Sequence, residues 1–223
     1  MIDALLVKAE TLIREKSLTA YKRVRRQYGA AIEDAILDYF IGSDAVTAYR
    51  NAMSRAMSDA FLSAFELAYI DGGAELPLDD DALEWLASRQ EQELGYIREL
   101  FVSLKELKAQ YRAGDVKTAD IKAEMVRRRD GYLATLDGVY NAGLMYAQKN
   151  VVVEWELGDT EEHCETKSGT IGCLNLANGP AHRISWYLSR DLIPRKNGAA
   201  MTCGGWRCDC RLRNKKTGEY ITL

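Results

Sequence analysis

The chain has few prolines, and no cysteine or histidine occurs before residue 163. Of 223 residues only 3 are proline and 2 are histidine, and all five cysteines lie after residue 163. Scarce proline favours long helices, because proline removes a backbone donor and clashes with the preceding turn. No segment approaches the run of about 18 apolar residues that a membrane-spanning helix needs. The opening "MIDALLVKAETLIREK" also lacks the basic and apolar regions of a signal peptide, so we expect neither export nor membrane insertion.

The composition is that of a globular protein with no general attraction to polyanions. Hydrophobic residues make up 47% and charged residues 28%, which is typical of a folded core. With a net charge of -3, any binding to nucleic acid would need a local basic surface. The sequence contains no HExxH, phosphate-loop or paired-carboxylate motif. His163 beside Cys164 is weak evidence for a catalytic pair, because neighbours on a strand point to opposite faces. We therefore expect neither catalysis nor a small-molecule substrate.

Residues 1 to 150 are predicted to form a helical body. Apolar residues recur at spacings of three and four, which places them along one stripe of a helix. The capping residues and glycines predict four helices: roughly residues 2–40, the run from the caps Ser43 and Asp44 to Gly72 and Gly73, the run from "LPLDDDALEWL" to Gly114, and "DVKTADIKAEMVRRRDGYLATLDGVYNAGLMYAQKN". The fold class is therefore mainly α, with a bundle of long helices as its body.

Three features of this body predict contacts. Gly138 and Gly143 flank Tyr140 and predict a close helix–helix approach. The basic run "YKRVRRQY" fits either a solvated helix face or a contact with phosphate or an acidic partner. The first two helices also carry more aromatic residues than a thin bundle needs, so we expect some of them to face a partner. These residues are Tyr21, Tyr28, Tyr39, Phe40 and Tyr49.

At residue 151 the pattern changes to that of a small α+β domain rich in loops. "VVVEWEL" is β-branched and aromatic, which predicts a strand, and "ISWYLSRDL" predicts a short helix. Folds with so little regular structure often need a metal or disulfide staple. We place the domain boundary near residue 150 and predict a cysteine-rich C-terminal domain over 151–223.

The cysteines of this domain predict a structural zinc site. In a reducing cytoplasm, clustered cysteines bind metal more often than they form disulfides, and structural zinc takes four tetrahedral ligands. We expect about one zinc per chain. Cys164 and Cys173 form the first candidate pair and Cys203 and Cys208 the second, with Cys210 as the alternate ligand. His163 and His182 are the weaker candidates.

The C-terminal segment is also locally basic, which suggests a second function. A zinc-stapled domain with exposed cations could bind nucleic-acid phosphates, so the alternative to a purely structural role is a zinc-dependent nucleic-acid-binding module. Ordinary surface charge explains the same residues equally well. The candidate contacts are Arg207, Arg211, Arg213, Lys215 and Lys216, with Arg195 and Lys196 nearby.

The region of residues 135–213 resembles a known family. "YNAGLMYAQKNVVVEWELGDTEEHCETKSG" followed by "CGGWRCDCRL" is similar to the C-terminal half of phage minor head proteins, the head morphogenesis proteins of the Mu F type. The resemblance lies in a helix with a tyrosine and a glycine, a strand centred on tryptophan, an acidic residue, a cysteine pair, and a final Cys-x-Cys before an aliphatic residue. The matching positions are Tyr140, Gly143, Trp155, Asp159, Cys164, Cys208, Cys210 and Leu212.

The chain departs from this pattern at one point. Lys167 stands where the second cysteine of the family's CxxC would be, and an insertion of six residues makes Cys173 the counterpart. A metal site survives such an insertion only if the loop folds back. The resemblance implies a structural protein of the virion, located at the portal vertex or the capsid interior after assembly in the host cytoplasm. Its implied partners are the portal protein, the major capsid protein and the packaged DNA.

Overall fold

The computed structural model describes residues 2–42, 46–159, 163–166, 170–195, 201 and 209–223, with side chains from residue 16 onward. Four long helices come first: α1 (Ile2–Ile41), α2 (Val46–Asp71), α3 (Asp80–Ala113) and α4 (Thr118–Ala147). Five short elements follow: β1 (Val152–Glu156), α5 (Cys173–Ala177), β2 (His182–Arg183), α6 (Ile184–Leu188) and β3 (Arg211–Asn214). The predicted mainly α fold is confirmed. No helix in the described ranges combines the length and the apolar character that crossing a bilayer requires.

Local capping explains the bounds of α3. The Asp79 carboxylate accepts a hydrogen bond from the backbone N–H of Ala82 at 2.9 Å, and two further aspartates in the first turn favour the positive end of the helix dipole. Gly114 ends the helix with a φ of 85°, a left-handed conformation that glycine adopts without strain. The predicted start and stop of this helix are confirmed. The caps predicted for α2, Ser43 and Asp44, lie outside the described residues.

The bundle core forms where α2 packs against α1 and α4. Gly143 of α4 lies directly on α2: a Cβ there would fall 2.6 Å from the Phe65 carbonyl oxygen and 2.7 Å from the Ala68 Cβ. Only a residue without a side chain lets the two backbones approach this closely. The close helix approach predicted around Gly138 and Gly143 is therefore present at Gly143.

The aromatic residues of α1 and α2 lie in the bundle core or pack against it, so the expectation that some of them face a partner stays a prediction, for the half-buried ones alone. Tyr21 is 2% exposed, with its ring centroid 4.1 Å from that of Tyr140 on α4. Tyr39 is 1% exposed and meets Phe101 of α3 edge to face at 5.6 Å. Tyr28 is buried as well, and the two half-buried residues, Phe40 and Tyr49, pack against the same core. Helices α4 and α3 thus cover the rings of Tyr21 and Tyr39, and Tyr28 meets Phe61 of α2 edge to face.

A three-stranded antiparallel sheet follows the bundle, with β1 in the centre and β2 and β3 on either side. Trp155 of β1 pairs with Leu212 of β3, and both side chains are buried. The strand predicted around Trp155 and the short helix predicted near residue 184 are both present. The apolar core is continuous from the bundle into the sheet, across the change from helix to strand near residue 150.

A buried asparagine joins α4 to the C-terminal segment. The Asn141 side chain is fully buried, and its amide donates to the Pro194 carbonyl oxygen at 2.9 Å. Its carbonyl oxygen accepts a hydrogen bond from the backbone N–H of Leu223 at 2.8 Å. One side chain of the bundle therefore holds two separate stretches of the C-terminal region.

Candidate functional site

Cys164 and Cys173 form a reduced thiol pair. Their Sγ atoms lie 3.2 Å apart, well beyond the disulfide bond length of about 2.05 Å. The backbone N–H of Cys173 donates to the Cys164 Sγ at 3.2 Å, and the N–H of Leu174 donates to the Cys164 carbonyl oxygen at the same distance. These bonds fasten the segment that carries Cys164 to the start of α5.

Gly172 and Thr166 build the turn that brings the two thiols together. The backbone N–H of Gly172 donates to the Thr166 Oγ1 at 3.1 Å, and the N–H of Thr166 donates to the Asn175 Oδ1 at 3.1 Å. A Cβ at position 172 would fall 2.6 Å from the backbone nitrogen of Thr166, so glycine is required where these backbones cross. These hydrogen bonds of Thr166 and Gly172 thus hold together the two ends of the segment that separates Cys164 from Cys173.

The remaining predicted ligands are only partly visible. Cys210 is 1% exposed, lies just before β3 and belongs to the same apolar core as Cys173. Cys203 and Cys208 lie outside the described residues. Within the part of the chain that is described, no three Cys, His, Asp or Glu side chains are grouped to hold a metal ion. The described structure therefore brings together two of the five predicted ligands.

The thiol pair could supply at most two of the four ligands of a structural zinc site. Zinc–sulfur bonds of about 2.3 Å in a tetrahedron place two ligand sulfurs about 3.8 Å apart. The observed 3.2 Å separation of the Cys164 and Cys173 sulfurs would need to widen by about 0.6 Å, which small side-chain rotations can supply. The other ligands would come from Cys203, Cys208 or Cys210. Soft thiolates of this kind favour zinc over magnesium or calcium.

His182 and Trp186 are engaged with each other. Their ring centroids lie 3.8 Å apart with an interplanar angle of 9°, and the Arg190 guanidinium lies 4.3 Å from the Trp186 centroid. The contacts that the structure gives His182 are thus aromatic, in agreement with its low rank as a ligand. Trp186 therefore packs within the chain, between His182 and Arg190.

Acidic residues of β1 face two of the candidate nucleic-acid contacts. The Arg213 guanidinium lies 3.3 Å from a carboxylate oxygen of Glu156 and 3.7 Å from one of Glu154. The Lys215 ammonium lies 3.6 Å from Glu154. Because β1 and β3 are neighbours in the sheet, Arg213 of β3 meets two carboxylates of β1 across the strands, and Lys215, one residue after β3, reaches Glu154. This pairing lowers the positive charge that the segment could offer to phosphates.

The other basic candidates differ among themselves. Arg211 lies 3.9 Å from Asp209 and 5.2 Å from the centre of the Tyr220 ring. Lys216 is exposed, with no ion pair among the described residues. Arg207 lies outside those residues. Of the five predicted contacts, the described structure leaves only Lys216 with an unneutralised charge.

The basic run of α1 is largely a solvated face. Lys22, Arg23 and Arg26 are exposed, which agrees with the first of its two interpretations. Arg25 instead donates to Asp137 of α4 at 2.8 Å, and Tyr21 donates to the same carboxylate. Part of the run therefore joins α1 to α4.

The sequence did not predict a buried ion pair inside the bundle. Arg89 and Glu93 are one turn apart on α3, 3.1 Å from each other, and only 2% of each side chain is exposed. Burial raises the pKa of Glu93 to about 7, against the opposing effect of the Arg89 charge. The sequence contains one indication that both residues are buried, because they lie at helical spacing between the apolar residues Leu86 and Ile97.

The sequence did not predict a buried lysine on α3 either. The Lys108 ammonium of α3 donates to the carbonyl oxygens of Tyr39 at 2.6 Å and Gly42 at 3.2 Å, at the C-terminal end of α1. Carbonyls at a helix end lack partners within the helix and attract cations. Lys108 follows Leu104 by one turn, so it continues the apolar stripe of α3.

The residues that resemble the phage minor head pattern occupy structural positions. Tyr140, Trp155 and Leu212 are buried, and Gly143 forms the contact between α4 and α2. Comparison of the chain with family models, curated proteins and solved structures found no match. Membership of the phage family therefore stays a prediction.

Proposed function

We propose that the chain is a phage minor head protein that acts structurally in head morphogenesis. It would bind the portal protein or the major capsid protein of the same phage, and stay in the virion at the portal vertex or the capsid interior. It would turn over no substrate. Its C-terminal segment would hold about one structural zinc ion.

The observation that carries this proposal is the closure of the Cys164–Cys173 turn. The resemblance to minor head proteins requires the chain to fold back across the insertion, so that Cys173 can replace the cysteine missing at Lys167. The two sulfurs are 3.2 Å apart, and a hydrogen-bonded turn holds them there. This geometry supports the alignment of Cys173 with the family's second cysteine.

The ligand chemistry supports a structural metal. Catalytic zinc keeps one coordination position open for water or substrate, whereas structural zinc is closed by four protein ligands. With Cys164 and Cys173 already paired and three more cysteines between residues 203 and 210, the chain has enough thiolates to close the site. A closed site would hold the insertion loop and the segment before β3 together.

The first experiment measures the metal. Full-length protein purified without chelator should contain zinc near one equivalent by elemental analysis, and the double variant Cys164→Ser, Cys173→Ser should lose it. The matched control is Lys215→Gln, Lys216→Gln, which alters the same segment without touching a thiol. Metal-free protein with an ordered C-terminal segment would defeat the zinc part of the proposal.

The second experiment measures the role. In the phage that encodes the chain, deletion of residues 151–223 should abolish incorporation into particles, or give particles that fail in DNA packaging or delivery. Purified portal protein should capture the full chain but not the deletion. Normal infectious particles from the deletion, or catalytic turnover that depends on Cys164, would defeat the proposal.

The nucleic-acid alternative is tested with the same control variant. Phosphate contacts give a steep dependence of affinity on salt. If the C-terminal segment binds duplex DNA, Lys215→Gln, Lys216→Gln should weaken binding and flatten the salt dependence. The carboxylates of Glu154 and Glu156 beside Arg213 and Lys215 make us expect no such effect.

A further inference from the structure

The closeness of the Cys164 and Cys173 thiols permits a covalent reaction as well as metal binding. Their Sγ atoms are 3.2 Å apart, and a disulfide bond of about 2.05 Å would need them to approach by about 1.2 Å. Rotations of the two side chains can supply a movement of that size. The backbone N–H groups of Cys173 and Leu174 both donate to Cys164, so the main chain beside the pair is already fastened. The fold therefore holds the two sulfurs within reach of a bond.

The two thiols differ in their access to solvent. Cys164 is half-buried, whereas Cys173 is only 2% exposed. In thiol–disulfide exchange, a small disulfide is attacked first by an accessible thiolate, and a second thiol beside it then completes the protein disulfide. The exposures assign the first attack to Cys164 and the second to Cys173.

The segment between the two cysteines favours this pairing over others. The entropic cost of closing a loop rises with the length of the loop, and this loop is short. The hydrogen bonds of Thr166 to Asn175 and of Gly172 to Thr166 hold its two ends together before any bond forms. Disulfide formation would therefore keep the present path of the main chain.

We propose that Cys164 and Cys173 form a reversible disulfide bond by exchange with a low-molecular-weight disulfide such as oxidised glutathione. The Cys164 thiolate attacks one sulfur of the glutathione disulfide, whose S–S bond breaks and releases one glutathione thiolate. The Cys173 thiolate then attacks the Cys164 Sγ and releases the second glutathione. The protons of the two protein thiols pass through solvent to the two glutathiones, so two thiols are oxidised while one disulfide is reduced.

This bond regulates the proposed zinc site, and in that respect it rests on the proposed function. The thiolate is the form of cysteine that binds metal, so a disulfide between Cys164 and Cys173 removes two ligands at once. Cytoplasmic thiols stay reduced, whereas thiols outside the cell oxidise. A chain that folds in the host cytoplasm and then persists in a virion would thus exchange its metal for a covalent link.

Oxidation followed by mass spectrometry tests the bond. Full-length protein, freed of metal by a chelator, is equilibrated at about pH 8 with mixtures of reduced and oxidised glutathione, and the remaining thiols are alkylated. Trypsin cleaves after Lys149, Lys167 and Arg183, so the bond would join peptide 150–167 to peptide 168–183. We expect this linked pair to be the first disulfide that appears as oxidised glutathione increases. Excess zinc, added to the reduced protein beforehand, should prevent it.

Two comparisons show whether the fold positions the thiols. In Gly172→Ala the added Cβ would lie 2.6 Å from the Thr166 nitrogen, so the equilibrium constant for this disulfide should fall by about tenfold or more. The matched control is Gly95→Ala in α3, where a Cβ meets nothing within 4 Å, and it should leave the constant unchanged. The unmodified protein unfolded in urea should show at least the same loss, which covers the case in which Gly172→Ala fails to fold.

Three outcomes would overturn the inference: no linked pair, a disulfide from Cys164 to a cysteine between residues 203 and 210 in its place, or equal equilibrium constants in folded and unfolded protein. The disulfide is measured on metal-free protein, so its result is independent of the zinc content. A missing disulfide in a protein that binds one zinc would leave the proposed function standing. The disulfide in a protein that never binds zinc would remove only the zinc part of that function.

Discussion

Replacing Asn141 with alanine should uncouple the C-terminal segment from the bundle. The side chain is fully buried and bonds to two backbone groups, the Pro194 carbonyl at 2.9 Å and the Leu223 N–H at 2.8 Å. Asn141→Ala leaves both without a partner. Each buried group left unsatisfied costs about 1–3 kcal/mol. Since Leu223 is only partly buried and can find water, we expect a total loss of about 2–4 kcal/mol in unfolding free energy.

Urea unfolding followed by two probes measures this loss. Far-UV circular dichroism reports the helices, while three of the four tryptophans lie after residue 150 and report the C-terminal segment. In the unmodified protein, coincident transitions would indicate one cooperative unit, and separate transitions would support a boundary near residue 150. In Asn141→Ala the fluorescence transition should move to lower urea by the larger amount.

The matched control is Asn150→Ala, at an exposed asparagine in the connection to β1. Surface substitutions of this kind change stability by less than about 0.5 kcal/mol. If Asn141→Ala lost no more stability than Asn150→Ala, the reasoning that Asn141 holds the two regions together would be refuted.

Three further predictions test other parts of the structure. Gly143→Ala should lower the free energy of unfolding by about 1–3 kcal/mol, because the added Cβ overpacks against α2. Gly131→Ala in the same helix, where a Cβ meets nothing within 4 Å, should instead raise it by up to about 1 kcal/mol. Thermal melts of the two variants check this, and equal effects would contradict it. Burial raises the pKa of Glu93 from 4.5 to about 7, so the folded protein binds this proton more tightly than the unfolded chain does. The free energy of unfolding, measured by urea titration, should therefore fall by about 3 kcal/mol as the pH rises from 4.5 to 7. Glu93→Gln should lack this dependence on pH. Gly172→Ala should open the thiol turn and lower the zinc content of the purified protein, and an unchanged zinc content would show that the turn does not position the ligands.

The elements with strong local signals could be predicted from the sequence. The start of α3 depends on Asp79 accepting a hydrogen bond three residues ahead, and its end on the left-handed conformation of Gly114. The strand around Trp155 follows from its β-branched neighbours. Each of these signals acts within about one turn or one strand, so the chain's order of residues already contains it.

The polar interior could not be predicted in the same way. Glu93 and Lys108 are charged residues on an otherwise apolar stripe, and helical spacing alone assigns them no partner. Lys108 bonds to the Tyr39 carbonyl, 69 residues earlier in the chain. Pattern reasoning also overestimated the basic character of the C-terminal segment, because the glutamates opposite Arg213 come from β1, more than fifty residues upstream.

By itself, the sequence determined the four long helices, the strand around Trp155, and the segment in which the thiols must meet. Only the tertiary structure decided that Cys164 and Cys173 are neighbours, that Glu93 is buried beside Arg89, and that Asn141 binds two distant backbone groups. The physical reason is the separation along the chain over which each interaction acts. Caps, glycine conformations and hydrophobic periodicity act between residues a few positions apart, whereas burial, ion pairing and the shape of a cleft depend on which faces of different elements meet when the chain packs.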